Sequence, residues 1–211
     1  MKTDQFVAAL VADRKGSVWP PGRLMATAIA IGGLVSLAIF ALEFGPRVDL
    51  AAAFRTWRFD LKLVLVLVAV VAAFGACSTL ARPVRAGSLL PRMLPLIVLA
   101  VVAVVIELAM LPRASWATRL IGSNALVCLT AIPLFALAPL TVLILALRRT
   151  APASPIRSGA MAGALAAAAA AAIYAFHCFD DSPLFVLTWY PLAALPVIAA
   201  GALAGNRLLR W

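Results

Sequence analysis

The stretch MLPLIVLAVVAVVIELAML, residues 93–111, runs for nineteen residues with one charge, Glu107. A helix crossing a bilayer needs about 20 predominantly apolar residues, and this run meets that length. Five more runs of similar length flank it, at 24–44, 61–81, 122–147, 158–179 and 184–204. Composition agrees, with 65% hydrophobic and 12% charged residues, whereas soluble domains are about half apolar. The expectation is an all-α polytopic membrane protein, a six-transmembrane-helix bundle occupying residues 24–204 as one domain. A segment of residues 1–23 precedes it and a tail of residues 205–211 follows.

The first segment does not read as a signal peptide, since Asp4 and Asp13 interrupt it and no small-residue cleavage site follows a short apolar core. Pro20, Pro21 and Gly22 separate it from the first long run. Within it Phe6, Val7, Leu10 and Val11 fall on one helical face. Thr3 or Asp4 can cap the start, and Arg14 and Lys15 suit the end before Gly16. A helix of about three turns is marginal alone in water, so its apolar face needs a partner, either the membrane surface or a docked cytoplasmic protein.

The net charge of +10 belongs to topology and not to nucleic acid. Twelve Lys and Arg lie on the side that holds the N-terminus and six on the other. The positive-inside rule then puts both termini in the cytoplasm. In that orientation helix 5 runs outward and helix 6 returns, so HCFDDSP (residues 177–183) sits at the outer face. Cys128, one turn beyond Asn124, lies within about two turns of that face, and Glu43 and Glu107 sit at outer ends of their helices. Cys77 falls toward the opposite end.

Two cysteines, the single histidine His177 and the carboxylates Glu107, Asp180 and Asp181 thus gather on one side. Ionisable groups in or near membrane helices are candidates for function. Thiol plus imidazole suits copper(I), zinc or cadmium, and two thiols facing an oxidising compartment can also form a disulfide. Each has a plainer reading: a cysteine as a small hydrophobe, an Asp-Asp-Ser-Pro turn in water, a histidine at the interface. Trp189 and Tyr190 read as interfacial anchors. Gly159–Gly163 and Gly201–Gly205 read as close-packing surfaces. No GxSxG or P-loop occurs, and an enzyme is not expected.

Three segments carry a family resemblance: the start MKTDQFVAALVAD, the motif HCFDDSPLFVLTWY and the end GALAGNRLLRW. On a six-helix frame they resemble the NrsF family, bacterial inner-membrane anti-sigma factors that restrain an extracytoplasmic-function (ECF) sigma factor. Phe6-Val7 and Gly205-Asn206-Arg207 depart mildly from the family pattern. The resemblance implies that the N-terminal segment, with Asp4, Phe6, Val7, Leu10 and Val11, docks the sigma factor at the cytoplasmic side. It also implies that Cys128 and Cys178 sense metal or oxidative stress near the outer face. The outer-face cluster itself, apart from the resemblance, offers His177, Asp180, Asp181 and Glu107 as candidate metal ligands beside them. A small metal-ion transporter or channel and a thiol/quinone redox protein are the alternatives. Oligomeric state is left open.

Overall fold

The computed structural model describes residues 19–82 and 88–210. Its elements are α1 (Pro21–Glu43), α2 (Leu50–Ala53), α3 (Trp57–Leu80), α4 (Leu90–Met110), a 3-10 turn (Arg113–Ser115), α5 (Trp116–Ile121), α6 (Ala125–Leu147), α7 (Pro155–Tyr174) and α8 (Pro183–Leu208). Among the described residues there is no strand. Six of the helices (α1, α3, α4, α6, α7, α8) are long and apolar enough to cross a membrane. The all-α, six-helix expectation holds.

Local chemistry explains the helix ends. Prolines open α1, α4, α7 and α8 at the first turn, where their missing N–H has no intrahelical partner to lose. α1 closes at Gly45, whose φ of +69° is a left-handed value open to glycine. The Gly45 N–H returns to the Phe40 carbonyl at 2.8 Å. Two boundaries depart from the expected runs. α7 stops at Tyr174 and not near residue 179; beyond it the chain turns, and the Phe176 carbonyl accepts from the Arg47 N–H at 2.9 Å. α8 continues to Leu208, because Gly201 and Gly205 serve as packing positions inside it.

The most extensive helix contact joins α7 and α8. A Cβ on Gly159 would overlap the Gly201 carbonyl oxygen, one on Gly163 the Val197 carbonyl, and one on Gly205 the Pro155 carbonyl. The two glycine pairs therefore face each other, as small residues in membrane interfaces do. α6 lies against α1, α7 and α8. Gly32 of α1 leaves room for the backbone of Pro139, one of two prolines inside α6. In the same seam the Ser36 hydroxyl donates to the Phe135 carbonyl at 2.6 Å. At the end where α1 begins, Cys77 lies 3.9 Å from the Met25 sulfur and Ser158 donates to the Leu80 carbonyl at 3.1 Å. Cys77 is thus a buried core side chain of that end.

α4 is the peripheral helix. Only Ala103 and Glu107 of it are buried. Between it and α3, α7 and α8 an apolar groove of about 570 Å³ runs along the bundle, lined by residues such as Leu65, Ile97, Val101 and Tyr190.

Candidate functional site: a hairpin pinned by buried ions

The α7–α8 connection enters the end of the bundle as a plug, and four other elements hold it there. His177 Nδ1 lies 3.0 Å from the Gly45 carbonyl, and its ring meets Phe44 edge-on at 5.1 Å. Asp180 Oδ2 accepts from the N–H groups of Ser123 and Asn124 at 2.9 and 2.8 Å. It also accepts from the Ser123 hydroxyl at 3.2 Å and the Asn124 amide at 2.9 Å. These donors precede the first turn of α6, so a carboxylate from the hairpin caps that helix and faces the positive end of its dipole. Gly122 makes the approach possible: its φ is +60°, and a Cβ there would overlap Phe185 and Asp180.

Asp181 answers two cations. Arg47, from the α1–α2 connection, donates to it at 2.9 Å, and Lys62 of α3 pairs with its other oxygen. Both cations also donate to the Cys178 carbonyl, at 3.2 Å from Arg47 and 2.8 Å from Lys62. Arg47 holds Asp49 as well, at 2.7 Å. That hydrogen bond draws the Asp49 carboxyl below the ordinary carboxylate range. Glu107, wholly buried, pairs with Arg58 at 3.0 Å and accepts from the Ser182 hydroxyl at 2.9 Å. It ties α4 to α3 and to the start of α8. Buried ions of this kind persist only with partners of opposite charge and hydrogen bonds.

Cys128 and Cys178 are both fully buried free thiols, brought together by α6 and the hairpin across fifty residues of sequence. The Cys178 thiol donates to the Asp180 carbonyl at 3.7 Å, and the neighbouring Cys128 thiol draws it below the ordinary thiol range. Burial opposes that shift and the Lys62 ammonium assists it. Tyr174 and Tyr190 close over the pair with ring centroids 6.2 Å apart. Among the described residues neither hydroxyl has a hydrogen-bond partner, and the groups they face are these thiols. Tyr190 is 6% exposed, so it is a wall of the thiol chamber and not the interfacial anchor the sequence suggested. Trp189 bonds the Leu120 carbonyl at 2.8 Å.

The expected residues thus separate. The thiols meet each other, while His177, Asp180, Asp181 and Glu107 are each committed to protein partners. Among the described residues no three His, Cys, Asp or Glu side chains converge as a metal cage would require. Asp4, Phe6, Val7, Leu10 and Val11 lie outside the described residues. Arg47, Arg58 and Lys62 entered the sequence reading only as topology charges, yet they organise the hairpin. The signal was present, since Lys62 stands inside the apolar run 61–81, where a charge is costly.

The NrsF family model, "Negative regulator of sigma F", matches residues 10–211. The chain belongs to the NrsF family. It is 28% identical to the Anti-sigma-F factor NrsF of Caulobacter vibrioides and 30% identical to the Probable anti-sigma-F factor NrsF of Azospira oryzae. Both alignments cover the whole of both chains. No solved structure matches. The pinned hairpin is therefore part of an NrsF-family chain, and its HCFDDSP motif is bonded to α1, α3, α4 and the residues before α6.

Proposed function

We propose that the protein is a membrane-embedded anti-sigma factor. It holds an ECF sigma factor through residues 1–23 at the cytoplasmic face of the inner membrane and releases it when the thiol pair at the outer face reacts. The carrying observation is the placement of Cys178. Its thiol faces Cys128 of α6, while its carbonyl is held by the α1–α2 connection and by α3. Chemistry at one residue thus bears on three elements. An oxidant that takes two electrons joins the sulfurs and releases two protons; a soft metal ion bridges them after displacing the protons. The carboxylates and His177 keep the frame in which either event is felt. A ligand shifts the equilibrium only by its different affinity for the two packings, and moving 1:99 to 99:1 takes about 5.5 kcal/mol, within reach of a disulfide or thiolate–metal bonds.

The test is C128S/C178S, read as sigma-dependent transcription with and without diamide or cadmium. Loss of induction with resting repression intact is expected. Full induction in the double variant removes the thiol reading. The transporter alternative predicts metal flux into proteoliposomes; the buried, fully paired ions at one end of the bundle favour a sensor over a conduit.

A further inference from the structure

Lys62 is 1% exposed within a membrane helix, and its hydrogen-bond partners all come from one place. They are the Cys178 carbonyl and the Asp181 carboxylate. The Phe59 ring at 5.1 Å adds a cation–π contact from its own helix. Arg47 shares both hairpin partners but also holds Asp49, so it keeps a counter-ion wherever the hairpin goes. Lys62 does not.

We infer that Lys62 is a positioning residue that transmits a change at the thiol pair to α3, because it loses its carbonyl and its carboxylate together when the hairpin turns. The inference rests on the thiol reading above. Drawing the Cys178 sulfur toward Cys128 rotates the Cys178 peptide, and with it the carbonyl that Lys62 holds. Leaving a buried charge unpaired shifts the balance between arrangements by roughly a hundredfold or more. α3 must then move to carry its ammonium to water or to a new partner. α3 is an uninterrupted rod of 24 residues. At its far end Cys77 touches Met25 of α1, and Leu80 holds Ser158 of α7. α1 follows the segment proposed to grip the sigma factor, so displacement of α3 reaches the output through one helix contact.

The experiment uses the full-length protein in its membrane with the sigma factor present, diamide as stimulus, and transcription normalised to membrane abundance. K62M removes the charge that needs the hairpin. It is expected to repress at rest and to lose the diamide response by about tenfold or more, while Cys128 and Cys178 still lose free-thiol labelling. K62R keeps the charge and restores the response. D181N takes the carboxylate away from Lys62 and is expected to raise resting output about tenfold without diamide; K62M/D181N returns it to silence. A K62M protein that responds like the parent, a silent D181N, or a D181N output that persists in the K62M background overturns the inference. The D181N arm needs no stimulus, so it stands even where K62M does not accumulate. It also stands apart from C128S/C178S: responsive serine variants refute the thiol sensor, whereas a silent D181N with responsive thiols refutes only the role of Lys62.

Discussion

Asp180 and Asp181 are neighbours in sequence with opposite partners. Asp180 takes four neutral donors at the start of α6; Asp181 takes two cations from α3 and the α1–α2 connection. The pair reads in sequence as a turn in water, and turn chemistry alone gives no reason to think otherwise. What reveals its role is the supply of donors from residues 47, 62, 123 and 124, which only the fold brings within reach. Cys178, two residues before them, carries a testable electrostatic signature. Because the Cys128 thiol draws its ionisation below the ordinary thiol range, C128A, which leaves no donor at that position, is expected to move the pH midpoint of Cys178 alkylation by iodoacetamide upward. C77S, at the other end of the bundle, is expected to leave it in place. Mass-spectrometric labelling rates across pH 6–10, about the span of the thiol and its neighbours, measure both. An unchanged midpoint in C128A removes Cys128 as the cause. The cysteines themselves were legible, since topology put both near one face. The tyrosines were not: an aromatic near the end of a membrane run looks the same whether it faces headgroups or two sulfurs.

Helices were legible wherever length alone decides. Runs of about 20 apolar residues have few alternatives in a chain this hydrophobic, and the glycine spacings in residues 159–163 and 201–205 marked two close-packing surfaces, which the fold sets against each other. The short helices α2 and α5 were not foreseen, because neither has the length that makes a membrane run visible. The tightness of the α7–α8 seam supports a prediction at this scale. G201V places a branched side chain against the Gly159 carbonyl and the Gly163 backbone, so α8 must separate from α7. Since the thiol chamber is walled by Tyr174 of α7 and Tyr190 of α8, the variant is expected to lose about 2–3 kcal/mol of stability and to expose Cys178 to alkylation. A drop in detergent-solution Tm with faster labelling confirms this; an unchanged Tm contradicts it. α4 is held differently: Glu107 is its buried tie, and the groove beside it is apolar and open along its length.

Charge is distributed over the whole molecule with a simple asymmetry. At the hairpin end the described residues carry six carboxylates (Glu43, Asp49, Asp60, Glu107, Asp180, Asp181) and six cations (Arg47, Arg55, Arg58, Lys62, Arg113, Arg119). At the opposite end they carry eight arginines (Arg23, Arg82, Arg92, Arg148, Arg149, Arg157, Arg207, Arg210) and no carboxylate. The twofold excess of basic residues counted along the sequence therefore understates the contrast, because it omits the acids that neutralise one side. Reporter fusions test the orientation this supports. Alkaline phosphatase inserted after Asp180 is expected to be active, and after Arg210 inactive, with a fluorescent protein after Arg210 glowing in the cytoplasm. The reverse pattern would place the hairpin inside and end the outer-face reading.

The isolated charge on α3 has an electrical consequence in the proposed orientation. A bacterial inner membrane carries a potential, negative on the arginine side, worth about 2.3 kcal/mol for each elementary charge per 100 mV crossed. Lys62 sits about one and a half turns into α3 from the hairpin end, so carrying its ammonium outward works against part of that voltage. An energised membrane thus helps to keep the hairpin and α3 together, and a depolarised one lowers the threshold at which the thiols can part them.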